Sequence, residues 1–577
     1  MSAARHVTLT DAVRHWARHE PEAIAFRFLT EFGARVEELS FAALDFEARR
    51  IAARLLEVAR PTDRAVLVFG SESMFVRAFF GSLFAGIIPV PAAPPPPHGK
   101  GGRLAALIAD CRPSVAMAET KNLEIVRRRL GADGIGIDPP QWIGVSPSEG
   151  TGPAVTDIFA PRGTDPALLQ YTSGSTALPR GAVITHDNLI ANCRAIQQGV
   201  ALESRSLRPL SWLPLFHDMG LIGHVVMPAY FGVAATLMPT YDFLQQPASW
   251  LRAISDHGAT FSIAPNFAYD LCVKRVSEER MAGIDLSRWV WAGNGSETVR
   301  CATMERFSAK FAGCGFAMSS FFPVYGLAEA TLFVSGGPKE APLTMCRASR
   351  KALAENRVVE VEDSSGEPAI DLVSSGFARS DSVARIVDPD SREALPEMTV
   401  GEIWVRGPSV AAGYWGRPDE TRETFEAVCA DGTGPFLRTG DFGFFRGGRL
   451  FVCGRLKDVV IVGGKNHHAE EIEQSIEGCH PSLVERGTAV FSVDADDREV
   501  LIAVCEIRRT AMRDLDCGSV IAAVRGAIAE GHGLGLHDAV LVPQGGVPRT
   551  TSGKMMRRAC RRLYLEGSLA KLAGGTK

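Results

Sequence analysis

Several signals are missing from these 577 residues, and each absence removes a class of function. The twelve cysteines form no CxxC pair and show no regular spacing. That argues against a zinc site or a disulfide framework and for a reducing compartment. No apolar run reaches the ~18 residues a membrane span needs. The best candidate, Ala78 to Val90, falls short and is ended by Pro89. The opening residues mix charge throughout, unlike a secretory signal, so the expectation is a cytoplasmic protein without a membrane span. A formal net charge of −4 supplies no global basic field, which speaks against nucleic acid or anionic lipid as partner. Gly-Lys occurs at Gly464-Lys465 and Gly553-Lys554, but Asn466 and Met555 follow where a Walker loop needs Ser or Thr. No GxGxxG follows a strand-like run, so the dinucleotide-binding fingerprint is absent too.

What is present is 46% hydrophobic residues, enough for a buried core, and a length that points to about four structural units. Amphipathic helical patterns fill residues 8 to 58. "RAVLVFG" (64–70) reads as a buried strand and 72–88 as a helix; the proline-rich 89–102 is expected to be irregular, because proline removes donors and fixes φ. Strand-like and helix-like runs then alternate: "SVAMAE" with "EIVRRRL", "AATLMPT" with "PASWLRAISDHG", "ATFSIAP" with "FAYDLCVKRV". Such alternation predicts α/β layers with largely parallel sheets. After about residue 340 the texture changes to a polar, weakly patterned stretch. Short β-like runs follow ("EIWVRG", "GRLFVCG", "DVVIVGG"), and then a small α+β unit. The boundary falls near "GRLKD" (454–458), giving a large domain over 1–455 and a small one over 456–577.

The densest chemistry lies in "LLQYTSGSTALPRGAVITHDNL" (168–189). Thr172, Ser173, Ser175 and Thr176 surround Gly174, and Arg180-Gly181 closes the segment. Ser, Thr and Gly cluster in ordinary loops. Consecutive backbone N–H groups and hydroxyls also make an anion cradle. The residues alone leave both readings open.

Five further stretches accompany it: "WLPLFHDMGLIG" (212–223), "WAGNGSETV" (291–299), "FFPVYGLAEATL" (321–332), "RTGDFGFFRGGRLFVCGRLKDVVIVGGKN" (438–466) and "VPRTTSGKMMRR" (547–558). In this order and at these separations they resemble the adenylate-forming superfamily of acyl-CoA synthetases, luciferases and nonribosomal-peptide adenylation domains, from the first helices to about residue 565. Within it the chain looks most like a fatty acyl-AMP ligase, on "VPAAPPPP", "QYTSGST", "APNFAYDLC", "YGLAEATLFVSGG", "GKNHHAEEIE" and "PRTTSGKMMRRACRRLYLEG". The resemblance implies an α/β fold: a large N-terminal domain of layered α/β subdomains plus a β-rich subdomain, and a small mobile α+β C-terminal domain. It also implies an inserted segment near 353–375. The short apolar alternations there, "VVEV" and "AIDLV", predict a β-like excursion packed on the large domain, since a solvated linker needs none.

The implied reaction takes a fatty acid, ATP and Mg²⁺ to fatty acyl-AMP and pyrophosphate. The acyl group then moves to the pantetheine thiol of an acyl carrier protein, expected here as a separate chain. The resemblance assigns the loop Thr172, Ser173, Gly174, Ser175 and Thr176 to the β- and γ-phosphates. Ala177 stands where relatives usually carry Gly, and Arg180 where they often carry Lys. Asn294, Gly295 and Ser296 are assigned to the purine edge, Tyr325 and Gly326 to the adenine face, Asp441 to the ribose hydroxyls and Arg455 to a second ribose or phosphate contact. Glu329 is assigned to the metal, Lys457 to the hinge, and Lys554 to the bridge between substrate carboxylate and α-phosphate. His217 is expected at the junction of acyl pocket and thiol channel, with Trp212, Met219, Asn266 and Phe267 lining the pocket. Taken without the family, those apolar positions are simply core. An acyl-CoA synthetase is the nearest alternative, since "HHAEE" lacks the proline common in both groups. "LFHDMG" lacks the acidic residue that meets an amino group, which disfavours amino-acid activation. A non-catalytic nucleotide-binding relative is disfavoured because both Lys554 and Glu329 are retained.

Overall fold

The strand Arg64–Val68 is apolar at four successive positions, which suits burial on both faces rather than one. It lies inside a parallel sheet in the order Ile88–Ala92, Arg64–Val68, Val115–Glu119, Gln141–Val145. The computed structural model describes the chain except for residues 1–6, 96–101, 132–139, 148–157, 172–178, 201–205, 338–342, 363, 365, 380, 456–458, 463–464, 496–497, 551–554 and 573–577. Thr172 to Thr176, expected as the phosphate loop, Lys457, expected as the hinge, and Lys554 therefore lie outside the described residues.

The helix expected over 72–88 ends at Phe84, and residues 89–92, expected to be irregular, belong with Ile88 to a strand instead. The reason is position. Ile88–Ala92 pairs with Arg64–Val68 and takes an end place in its sheet's strand order, where proline is tolerated because one row of N–H groups needs no ladder partner.

A second sheet orders Arg35–Ser40, Ile24–Thr30, Ala235–Leu237 and Leu210–Ser211. A third, which carries the site, sets Phe261–Ala264, Trp291–Asn294 and Phe321–Gly326 in parallel, then adds Phe333–Gly336 and Phe377–Ala378 antiparallel. Behind it Trp250, Tyr269, Trp289 and Phe307 are fully buried and pack mostly edge to face, the favoured aromatic geometry. A four-stranded antiparallel sheet follows: Val383–Val387, Gly401–Arg406, Leu437–Arg446, Arg449–Arg455.

The polar stretch after 345 is a hairpin, Met345–Ser349 with Ala369–Val373. "AIDLV" is one of its strands. "VVEV" is not a strand, but Val358 joins the small core that Cys346, Leu353 and Leu372 build against Phe442, Phe444 and Phe451. The expected packing on the large domain is thus observed.

From Val459 onward the chain forms the helices Ala469–Ile476, Cys517–His532 and Arg557–Leu565 around the strands Leu483–Ala495, Arg498–Ile507 and Leu536–Pro543. Glu473 is buried there and takes two bonds of 2.7 Å from the Arg557 guanidinium, with a third from Val490 N–H at 3.0 Å. Breaking such a buried pair from one side strands the other charge. Among the described residues, no apolar cluster mixes residues before 456 with residues after 459. All twelve cysteines are free thiols, so no disulfide staples the fold. Among the described residues no helix is long and apolar enough to cross a membrane.

Two fully buried histidines make stability acid-sensitive. Burial pushes His186 and His224 down from 6.5 to about 4, so both are neutral in the folded chain. The unfolded chain binds those protons first, so their stabilising contribution is complete above pH 6.5 and is lost as pH falls toward about 4. We expect urea midpoints to drop on going from pH 6.5 to about 5, before ordinary carboxylates titrate. His224→Gln should flatten that slope; an unchanged slope in this variant would remove His224 as a cause.

Candidate active site

One cavity of about 1080 Å³ opens at the carboxyl ends of the third sheet and runs back between its strands and the 212–223 segment. Inward residues obey the strand period of two: Phe261 and Ile263 on one strand, Phe322 and Val324 on another. With Trp212, Met219, Phe267 and Leu332 they make an apolar arm. Trp212 is held flat against Phe243, ring centroids 3.9 Å apart, and edge-on to Phe267 at 5.9 Å.

The 212–223 segment turns tightly beside this arm. His217 N–H donates to Pro214 carbonyl at 3.1 Å, and Gly220 sits so close to the same carbonyl that no side chain fits. His217, Asp218 and Met219 line the cavity in succession.

Asn266, expected in the pocket wall, is completely buried behind it. Its Oδ1 accepts from Asn294 Nδ2 at 2.9 Å and from Arg300 N–H at 3.1 Å, and its Nδ2 donates to Thr298 carbonyl at 2.9 Å. It braces the 294–300 loop. Asn294 is equally buried and turns its amide to Asn266. Gly295 admits no side chain without meeting Val324, and Ser296, at φ 73°, reaches the cavity. The loop thus presents Ser296 and Glu297 outward on a buried amide support.

At the polar end, three assigned residues meet although 130 positions separate the first from the last. Tyr325 Oη donates to Asp441 Oδ2 at 2.8 Å, and Arg455 Nε donates to Asp441 Oδ1 at 3.1 Å. Asp441 and Arg455 are directly opposite in the pairing of Leu437–Arg446 with Arg449–Arg455. Burial, then the Asp441 charge, raises the Tyr325 hydroxyl well above its usual range, so it stays a donor. Gly326 passes so near Leu332 carbonyl that only glycine fits.

Glu329 lies in a single 3₁₀ turn rather than at the head of a long helix. Its Oε1 accepts from Tyr414 Oη at 2.9 Å, and burial raises its carboxyl, opposed by that bond. Arg180 stands over the Tyr414 ring, 5.5 Å from its centroid, and pairs with Glu420 at 2.8 Å. Glu329 lines the cavity as a single carboxylate, a donor of the kind Mg²⁺ takes alongside waters or phosphate oxygens.

Sequence reasoning missed two supports. Tyr414 fixes Glu329. Glu402, almost wholly buried, accepts from Trp404 Nε1 (2.9 Å), Arg438 Nε (3.0 Å) and Gly440 N–H (3.0 Å), and so sets the course of the 438–441 segment. Neither sits in a spacing that signals its partner.

The C-terminal region completes the wall through Glu470, Arg486, Arg549, Thr550 and Met555. It is tied to the larger part by ion pairs: Arg300 with Glu477 at 3.0 Å, Arg350 with Glu471 at 3.4 Å, Arg486 with Glu297, and Lys274 with Glu485. Glu297 also accepts from Phe267 N–H at 3.3 Å.

Fold and cleft are those of an adenylate-forming enzyme, with a large N-terminal domain and a smaller C-terminal region. Residues 13–415 match the family described as AMP-binding enzyme, and residues 457–573 match the AMP domain described as Disco-interacting protein 2-like. The chain belongs to the AMP-binding enzyme family. It is 38% identical over 99% of its length to the medium-chain-fatty-acid–[acyl-carrier-protein] ligase JamA of Moorena producens, covering 97% of that protein. It is 36% identical over 96% of its length to the long-chain-fatty-acid–AMP ligase FadD32 of Mycolicibacterium smegmatis, covering 94% of it. Among solved structures it is similar to the fatty acyl-adenylate ligase of L. pneumophila in complex with acyl adenylate and pyrophosphate. The TM-score is 0.74 at 35% identity, with 97% of each chain covered.

Proposed function

We propose that this chain activates a fatty acid with ATP, releasing pyrophosphate, and passes the acyl group from acyl-AMP to the pantetheine thiol of a separate acyl carrier protein. The observation that carries the reading is a single cavity whose polar end, Tyr325–Asp441–Arg455, continues into an apolar arm that accepts a hydrocarbon chain.

In the first step a carboxylate oxygen attacks the α-phosphorus and pyrophosphate leaves. In the second the thiol sulfur attacks the acyl carbonyl and AMP leaves. Asp441 accepts from the ribose hydroxyls once Arg455 yields its place. Tyr325 offers its ring to adenine while its hydroxyl holds Asp441. Thr172 to Thr176 receive the departing pyrophosphate, and Lys554 stands between carboxylate and α-phosphate. His217 lies where carboxylate and thiol converge. Glu329, held by Tyr414, would hold Mg²⁺, which supplies charge neutralisation for two anions forced together. We assign 1–455 and 456–577 as the two domains, with Lys457 as the hinge between them.

Some relatives are named otherwise: a putative fatty-acid–CoA ligase of Mycobacterium leprae is 35% identical over 97% of this chain. The deciding test is mass spectrometry of products from ATP and a panel of fatty acids, with CoA or a carrier protein as acceptor. Acyl-AMP with acyl-carrier product supports the proposal; efficient acyl-CoA formation replaces it with the synthetase reading.

A further inference from the structure

The apolar arm is lined from several elements, which fixes its width. The loops that carry the polar end, 294–300 and 325–329, leave the carboxyl ends of the strands Trp291–Asn294 and Phe321–Gly326. Phe261 precedes Ile263 by two positions, so it stands about 6–7 Å further from that end. The His224 ring lies 5.4 Å from the Phe261 ring. Phe322 stands level with Ile263 in the sheet register, and its ring lies 6.4 Å from that of Phe333 and nearly parallel to it.

Gly223 and Leu332 both line the cavity here. A methyl group built on Gly223 would meet one neighbouring atom, Leu332 Cδ2, at 3.7 Å, an ordinary contact. Gly223 does not adopt a positive φ and sits within the π-helical turn Ile222–Val226, so its backbone accepts a side chain. Gly220, three residues earlier, has no such room because Pro214 carbonyl blocks it. Glycine at 220 is thus demanded by the fold, whereas glycine at 223 is demanded only by whatever occupies the cavity. π-Turns within helices often mark functional sites.

We infer that the Gly223–Leu332 gap limits the acyl arm: the absent side chain at 223 is space taken by methylenes of the acid. This rests on the fatty acid of the proposed function.

The test measures acyl-AMP formation without any acceptor, for straight-chain acids from butanoate to hexadecanoate, with wild type, Gly223→Ala, Gly223→Leu and Leu332→Ala. Each methylene excluded from an apolar pocket lowers kcat/KM about fourfold. Gly223→Leu should therefore depress the longest acids that wild type accepts by more than about tenfold relative to the shortest. Gly223→Ala should shift the profile the same way by less, and Leu332→Ala should shift it toward longer acids. A profile parallel to wild type within about twofold, or a uniform loss at every length in a protein with a native melt, overturns the inference. Gly223→Ala carries the decision if the leucine variant does not fold. The wild-type arm reports separately on the proposed function, since it alone shows whether straight-chain acids are adenylated.

Discussion

Replacing Lys554 with alanine is expected to slow acyl-AMP formation by more than about a hundredfold while leaving ATP binding nearly intact. The chemistry sets the size. A carboxylate must approach a polyphosphate of like charge, and one preorganised cation at the reacting oxygens contributes about 3 kcal/mol to the transition state. Four residues separate Thr550 from Met555, and both of those line the cavity. Arg549 and Met555 bridge to each other, so the ends of this short connection are fixed at the wall. The measurement is pyrophosphate release in a single turnover, beside nucleotide affinity by calorimetry. Adenylation at a near-normal rate would remove the lysine from the reaction. Transfer from supplied acyl-AMP should suffer much less, because the α-phosphate has already been engaged.

The second large effect is expected at Asp441. Asp441→Ala should lower kcat/KM for ATP between about a hundredfold and a thousandfold. It removes two charge-assisted bonds to ribose, together about 3 to 4 kcal/mol. The same change leaves the buried Tyr325 hydroxyl without its acceptor, so the melt should fall by a few degrees yet stay cooperative. Asp441→Asn separates the two roles. The amide oxygen still accepts from Tyr325 and should restore the melt, but it lacks the charge and should not restore ATP use. If Asp441→Asn recovers both, the residue serves the fold and not the nucleotide.

The alternation of apolar strands and amphipathic helices was readable because it reports on burial, which the strands of the parallel sheets show directly. The proline count misled at 89–92 because composition does not say whether a strand stands at the end of its sheet. Tyr325, Asp441 and Arg455 were named through resemblance, and they do converge in space. Asn266 was placed in the wall because its neighbours Pro265 and Phe267 are there, but its own amide points the other way, into the loop it braces. Tyr414 and Glu402 could not be read at all. Their roles come from contacts 85 residues away in one case and from a three-bond junction in the other, and neither leaves a local trace.

The seam between the larger part and the C-terminal region, crossed by ion pairs and, among the described residues, by no shared apolar cluster, is unlike a core. An exposed pair such as Lys274–Glu485 contributes little, and water can replace each partner as they separate. A seam built this way parts without tearing greasy surface into solvent, so neither half has to unfold or aggregate on release. Such a seam resembles a clasp, and Glu297 is one of its teeth: it accepts from Phe267 N–H of the acyl-side helix and pairs with Arg486 across the seam.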